Sequence, residues 1–168
     1  LASEGTTYAG DKTDISNPRE YLSMASMSAL ETLEKGAKNG FFLMIESAII
    51  DGYGHNNDSE GMKLEMYDFN NTLMLLIDYV HNHPNTLLVV TADHETGGTG
   101  IAYKHHEVGK KEKVSLNFST KGHTGTVVPV FAYGPGAECF AGIMKNTDIP
   151  KKLESLMKND FKTQRSKL

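Results

Sequence analysis

The sequence predicts an α/β fold in which a mainly parallel sheet is flanked by helices. Short, continuous apolar runs, which are typical of strands buried on both faces of a sheet, alternate along the chain with amphipathic stretches of helical period. Polar, glycine-containing turns follow these runs. With 168 residues and 39% apolar content, the chain is long enough to form one such domain.

The N-terminal part of the chain predicts a linker, a helix and a strand. Residues 1–16 are rich in small and polar residues without periodicity, and we interpret them as a linker or irregular segment. Asn17 and Pro18 form a good N-cap and first-turn pair for the helix that follows. Residues 41–50 are almost continuously apolar, which predicts a strand buried on both faces.

The middle of the chain predicts a loop and a long helix. Residues 51–58 are rich in glycine and asparagine, and Gly52 and Gly54 disfavour a helix there. Apolar residues then recur at steps of three and four from Met62 to Val80, which predicts an amphipathic helix.

Two further strands are predicted in the C-terminal half. Residues 86–92 form an apolar run that leads directly into a polar turn beginning at Asp93. Residues 104–121 are polar and lack a period, so we interpret them as a long excursion before a strand at 127–133.

The domain is expected to cover residues 17–160. Asp148 can cap a final helix that begins with Pro150. Residues 161–168 are predicted to form a charged tail.

Composition excludes several classes of protein. The net charge of −4 argues against nucleic acid or an anionic membrane as a partner. No apolar run approaches the roughly 20 residues that a bilayer-spanning helix needs. The N-terminal residues lack the basic and apolar regions of a signal peptide. The single cysteine, Cys139, permits no internal disulfide, and its apolar neighbours predict a packing role.

Histidines and carboxylates accompany the predicted strands at three places. Asp51 and His55 follow the first strand, Asp93 and His94 follow the second, and His123 precedes the third. If these strands are neighbours in one sheet, the groups emerge at one edge and can converge on a divalent metal. Zinc accepts imidazole nitrogen and carboxylate oxygen, so Asp51, His55 and His123 form a candidate three-ligand set.

Two more metal sites are predicted. Asp93 and His94 are adjacent, so both can reach one ion only where the backbone turns, and Gly97-Gly98 is consistent with such a turn. Glu46 lies inside a predicted buried strand, where an unpaired carboxylate is costly. A hard cation such as magnesium would offset that cost.

The same residue types have a simpler interpretation. A loop histidine is commonly a solvated or helix-capping group, and a strand-end aspartate is commonly a turn former. Solvation or capping is our interpretation of the remaining histidines, which are His81, His83, His105 and His106. For His55, His94 and His123, the joint occurrence with three carboxylates and flanking glycines favours a metal site.

Three stretches of the sequence resemble the bacterial alkaline phosphatases. The similarity covers about residues 17–158, in the right order and with the right kinds of spacers. The stretches are Phe-Phe-Leu-Met-Ile-Glu with Ile-Asp-Gly-Tyr-Gly-His, then Val-Val-Thr-Ala-Asp-His-Glu-Thr-Gly-Gly, then Gly-His-Thr-Gly-Thr-Val-Val-Pro-Val-Phe-Ala-Tyr-Gly-Pro-Gly-Ala. The resemblance implies an alkaline-phosphatase-like fold of which residues 17–160 are the C-terminal part.

The resemblance also implies cofactors and a reaction. The full-length protein would bind two Zn²⁺ and one Mg²⁺ and hydrolyse small phosphate monoesters through a phosphoserine intermediate. The ligands implied for the first zinc, the second zinc and the magnesium are, in that order, Asp51, His55 and His123; Asp93 and His94; and Glu46.

One part of the family pattern is missing. The nucleophilic serine, the aspartate beside it and the phosphate-gripping arginine belong to the family's N-terminal half, which no segment here resembles. Arg19, the only arginine near the resembling stretches, stands at a predicted helix start. Ser47 occupies a position where the family often has glycine. We therefore expect a truncated domain that has no catalytic nucleophile and no turnover alone.

Two alternatives remain at this stage. One is another member of the same superfamily, such as a sulfatase, a phosphodiesterase or a cofactor-independent phosphoglycerate mutase, although the Thr-Ala-Asp-His-Glu-Thr-Gly-Gly string favours the phosphatases. The other is a non-catalytic metal-binding module. The resemblance further implies a periplasmic or secreted protein and allows a homodimer.

Overall fold

A computed structural model describes residues 21–102 and 115–158. The predicted linker at 1–16, the first part of the polar excursion at 104–121 and the tail at 161–168 lie outside these residues. The helices observed are α1 (Tyr21–Gly36), α2 (Ile49–Asn56), α3 (Ser59–Asn82) and α4 (Asp148–Lys158), with a short 3-10 helix at Ala137–Phe140. The strands are β1 (Leu88–Thr91), β2 (Glu95–Thr96), β3 (Gly100–Ala102), β4 (Ser115–Asn117), β5 (His123–Thr124) and β6 (Val130–Tyr133).

The three predicted helices are confirmed, and α2 is an additional helix. The long amphipathic helix is α3, and the last helix is α4, which begins at Asp148, two residues before the predicted start at Pro150. α1 falls within the predicted first helix, whose predicted start at Asn17 lies outside the described residues. None of the helices that the structure describes is long and apolar enough to cross a membrane.

The strand predicted at residues 41–50 is wrong. Residues 41–47 form no helix or strand, and the chain enters α2 at Ile49. Phe42, Met44 and Glu46 are exposed, whereas the residues between them are half-buried. A strand forms only where a neighbour accepts its backbone hydrogen bonds, and no strand in residues 21–102 or 115–158 does so for this run.

The loop predicted at residues 51–58 is also wrong, because most of it is α2. A glycine inside a helix costs about 1 kcal/mol, which is why Gly54 argued for a loop. A Cβ at Gly54 would lie 3.0 Å from the Thr96 side chain, so this glycine lets α2 approach β2. α2 ends at Asn56 and is capped by Asn57, which adopts φ 56° and donates its backbone N–H to the Gly54 carbonyl at 3.0 Å.

The strand pairs are antiparallel, whereas the sequence predicted a mainly parallel sheet. β1 pairs with β6, β2 with β5 and β3 with β4. β1 and β6 confirm the strands predicted at 86–92 and 127–133. Neither strand is buried on both faces, since Thr91, Phe131 and Tyr133 are exposed. An apolar run predicts that a strand forms, but it does not fix the direction of the neighbouring strand.

The described residues form two compact units. The first comprises residues 21–75, 94–102 and 115–126. In it the Ser23 hydroxyl of α1 lies 2.9 Å from the Thr72 hydroxyl of α3 within a buried polar layer. This unit contains α2 and β5, which carry three of the six predicted metal ligands, Asp51, His55 and His123.

The second unit comprises residues 76–93 and 127–158. Its buried apolar residues include Val80 and Phe140. Lys152 of α4 donates to the Cys139 carbonyl at 2.8 Å, and the Cys139 thiol is half-buried and unbridged.

Candidate metal centre

α2 places Asp51 and His55 side by side. Residues four apart on a helix lie on the same face, one turn above the other. Asp51 Oδ2 lies 3.3 Å from His55 Nε2 as a result. The change from predicted loop to observed helix therefore gives this pair a fixed spacing.

β5 brings His123 to the same place. The pairing of β5 with β2 sets His123 opposite Thr96. His123 Nε2 lies 3.4 Å from Asp51 Oδ1 and 3.1 Å from His55 Nε2. We refer to Asp51, His55 and His123, whose ligand atoms all lie within 4.8 Å of one another, as the donor group.

The spacing of the donor group suits a tetrahedral ion. Ligand atoms about 2.0–2.2 Å from a tetrahedral zinc stand about 3.3–3.6 Å from one another. In the donor group the two Nε2 atoms are 3.1 Å apart, His55 Nε2 is 3.3 Å from Asp51 Oδ2, and His123 Nε2 is 3.4 Å from the other oxygen, Asp51 Oδ1. The side chains of His55, Asp51 and His123 are 40%, 43% and 47% exposed, respectively, so a fourth coordination position would face solvent. Two imidazoles, one carboxylate and an open side match the donor set of a catalytic zinc site.

The backbone of residue 121 fixes the tautomer of His55. His55 Nδ1 lies 2.5 Å from the Lys121 carbonyl oxygen, which can only accept a hydrogen bond. Nδ1 must therefore carry a proton, so Nε2, which faces His123 and Asp51, is the ring atom that can offer a lone pair to a metal. A lone pair and a carboxylate facing each other require a cation or a proton between them. Outer hydrogen bonds of this kind are typical of metal-ligating histidines.

Thr96, which was not predicted as a site residue, supports the donor group from β2. Its hydroxyl donates to Asp51 Oδ1 at 2.5 Å and lies 3.2 Å from His94 Nδ1. Thr96 is buried, so this hydroxyl is shielded from competing water. The signal was the period of two in a strand, which puts Thr96 on the same side as His94.

His94 lies against the donor group without belonging to it. Its ring stacks on His123 with centroids 3.5 Å apart and an interplanar angle of 23°. The donor group that the described residues form contains neither His94 nor Asp93 nor Glu46. Asp93 and Glu46 are both exposed.

Glu95 holds the turn that follows β2, and this role was also missed. Its carboxylate accepts hydrogen bonds from the Thr124 hydroxyl, from Thr99 N at 2.6 Å and from Gly98 N at 3.2 Å. The bond from Thr124, followed by that from Thr99, holds the pKa of the Glu95 carboxyl below its ordinary value. The group is therefore ionised at neutral pH and acts as an acceptor only.

The other histidines agree with their simpler interpretation where they are described. His83 Nδ1 lies 2.7 Å from the Tyr79 carbonyl near the end of α3, and the two rings stack at 3.9 Å. His81 is exposed at the end of the same helix. His105 and His106 lie outside the described residues.

Comparison with known sequences finds one family. The family profile described as alkaline phosphatase matches residues 5–113 and 99–159. Alkaline phosphatase 3 of Bacillus subtilis is 30% identical over 202 residues, covering 80% of this chain and 44% of that protein. Streptomycin-6-phosphate phosphatase of Streptomyces griseus is 30% identical over 148 residues, covering 76% of this chain and 33% of that protein. The chain thus spans less than half the length of these relatives.

Comparison with solved structures agrees. The alkaline phosphatase of the Antarctic bacterium TAB5 superposes with a TM-score of 0.75 at 38% identity, over 83% of this chain and 41% of that one. A histidine mutant of that enzyme has magnesium bound in its M3 site. A cold-active alkaline phosphatase of a psychrophilic Shewanella superposes with a TM-score of 0.73 at 28% identity, over 82% of this chain and 50% of that one. These matches confirm the predicted α/β class.

Proposed function

The chain belongs to the alkaline phosphatase family, and from that premise we propose that its full-length protein hydrolyses phosphate monoesters with the help of bound metal ions. The donor group carries this proposal, because its two imidazole nitrogens and one carboxylate have the mutual spacing of zinc ligands. The proposed substrate is a small phosphate monoester, and the proposed location is periplasmic or secreted.

The donor group would hold one zinc ion. When bound, it would supply Lewis-acid chemistry, polarising a phosphate-ester oxygen and lowering the pKa of bound water. The chain's own contribution is orientation. Lys121 O keeps the proton of His55 on Nδ1, and Thr96 holds Asp51 Oδ1 in place. These two bonds keep the ligand atoms aimed at one point.

The remaining metal contacts are proposed from the family resemblance. His94, with Asp93, would supply ligands to a second zinc, and Glu46 would supply one to magnesium. The stack of His94 on His123 favours this arrangement, because it places a proposed ligand of the second zinc beside a proposed ligand of the first. Metal pairs about 3.5–4 Å apart can stabilise both the attacking and the leaving oxygen.

We further propose that the serine nucleophile and the arginine that grips phosphate lie outside these 168 residues. The chain would then supply C-terminal ligands and be inactive alone. The proposal agrees with its coverage of 44% of the Bacillus subtilis relative. A homodimer is proposed from the resemblance only.

Zinc titration of the 168-residue chain by calorimetry tests the site. We expect one ion bound at the donor group. His55→Ala should weaken zinc affinity by more than the roughly 10–100-fold that follows from losing an outer hydrogen-bond partner. His81→Ala is the matched control, because His81 is an exposed histidine at the end of α3. Equal affinity of His55→Ala and the unmodified chain would contradict the site.

Activity is tested separately. The chain loaded with zinc and magnesium should not hydrolyse p-nitrophenyl phosphate, whereas the full-length protein should, in preference to the corresponding phosphodiester and sulfate ester. Hydrolysis by the chain alone that His55→Ala abolishes would place the nucleophile within these residues. A preference of the full-length protein for the sulfate ester or the diester would contradict the proposed substrate class.

A further inference from the structure

We propose that Glu95 is a positioning residue whose carboxylate clamps β2 to β5 and so holds His123 at the donor group. The inference rests on the proposed metal site. It gives a role to the acidic residue that stands between His94 and Thr96 and that is not a member of the donor group.

The clamp is built from three hydrogen bonds on one carboxylate. Glu95 Oε1 accepts from Thr99 N at 2.6 Å, and Oε2 accepts from Gly98 N at 3.2 Å and from the Thr124 hydroxyl. The two backbone bonds hold the side chain over the turn that follows β2. The third bond reaches across to β5, one residue beyond His123.

The short ladder explains why a clamp is needed. β2 and β5 contribute only two residues each, paired as Glu95 with Thr124 and Thr96 with His123. Register is weakly specified in so short a pair, and a slip of one residue would turn His123 to the opposite face. The side-chain bond between Glu95 and Thr124 adds a contact that exists in only one register.

Backbone hydrogen bonds hold the two loops together farther from the ligands. Gly97 N donates to the Gly122 carbonyl at 3.0 Å, and the N–H groups of Ser119 and Thr120 both donate to the Gly97 carbonyl, at 3.0 and 3.1 Å. These bonds join the loops on the side of His123 away from Thr124. The Glu95 clamp secures the other side, so His123 is held between two fixed points.

Cobalt binding to the 168-residue chain tests the clamp without any assay of turnover. Co²⁺ occupies zinc sites, and its visible absorption reports both affinity and coordination geometry. Thr124→Val removes the hydroxyl but keeps the shape of the side chain, whereas Thr124→Ser keeps the hydroxyl. We expect Thr124→Val to bind Co²⁺ roughly tenfold more weakly with an altered spectrum, as loss of an outer hydrogen bond does. Thr124→Ser should restore both.

Variants of Glu95 supply a second, independent measurement. Glu95→Ala removes all three bonds and should weaken Co²⁺ binding at least as much as Thr124→Val. Glu95→Gln keeps an acceptor for Thr99 N and can donate to the Thr124 oxygen, so its loss should be smaller. In the Glu95→Ala background, Thr124→Val should have no further effect, because both changes break the same bond.

The outcomes separate the clamp from the site. If the unmodified chain binds no Co²⁺, the proposed metal site itself is wrong. If it binds but Thr124→Val matches it, or Thr124→Ser is as weak as Thr124→Val, the clamp is wrong. Circular dichroism checks the fold of each variant, and if Thr124→Val does not fold, the order of the unmodified chain, Glu95→Gln and Glu95→Ala decides. Equal affinity of Glu95→Ala and the unmodified chain would overturn the proposal.

Discussion

The donor group and the segment around Glu46 differ in how each is held. Asp51 and His55 stand one turn apart on α2, and His123 is held by the pairing of β2 with β5. Glu46, by contrast, is exposed in a stretch that has neither helix nor strand. Both regions belong to the stretches that resemble the family. Within the described residues, however, only the ligand atoms of the donor group lie together.

The ligand atoms of the donor group are held in place by outer hydrogen-bond partners. Lys121 O orients His55, and the Thr96 hydroxyl holds Asp51, each over a distance of 2.5 Å. Such partners fix the direction of a ligand atom before the metal arrives. Removing an outer partner such as the Thr96 hydroxyl should therefore weaken zinc binding, whereas a change at Glu46 should not.

The largest effect on stability is expected where α2 rests on α3. A Cβ at Gly61 would lie 2.2 Å from the ring of the buried Tyr53, so one of the two must shift. Gly61→Ala should lower the free energy of unfolding by about 1–3 kcal/mol, the usual cost of overpacking. Chemical denaturation of the metal-free chain measures it.

Gly52→Ala is the matched control within α2. No atom lies within 4 Å of the position its Cβ would take, and Gly52 is not among the glycines with positive φ. The change should therefore raise the free energy of unfolding by about 0.5–1 kcal/mol. If Gly61→Ala behaves like Gly52→Ala, contact with Tyr53 is not what anchors the helix that carries Asp51 and His55.

A smaller effect, confined to metal affinity, is expected at Thr96. Thr96→Val keeps the shape of this buried side chain but removes the hydroxyl that donates to Asp51 Oδ1. Zinc affinity should fall roughly tenfold, and Thr96→Ser should restore it. Calorimetric titration of both variants measures the difference. Unchanged affinity in Thr96→Val would show that Asp51 is held by α2 alone.

The residues of the donor group were predictable from the sequence, but the way they meet was not. Asp51, His55 and His123 were identified from residue type and from their place near apolar runs. Gly52 and Gly54 predict a loop around Asp51 and His55, because glycine disfavours a helix. Gly54 is there for its close approach to Thr96, a tertiary contact that no local propensity contains.

The strands show the same limit. The runs at 86–92 and 127–133 were predicted because β1 and β6 are rich in residues that prefer strands. Their antiparallel pairing, and the lack of a strand at 41–47, depend on which backbone groups find partners. Thr96 and Glu95 were missed because hydroxyl and carboxylate partners become recognisable only after the ligands beside them are placed.

The smallest effect is expected at Glu46. Its side chain is exposed and is not part of the donor group, so Glu46→Gln should leave the affinity of the 168-residue chain for its first zinc within about twofold, as for independent sites. His55→Ala, titrated in parallel, supplies the full loss. A tenfold loss in Glu46→Gln would place Glu46 in the assembled site and remove the contrast between the two regions. In the full-length protein the same variant should reduce magnesium binding, because Glu46 is there proposed to be a ligand.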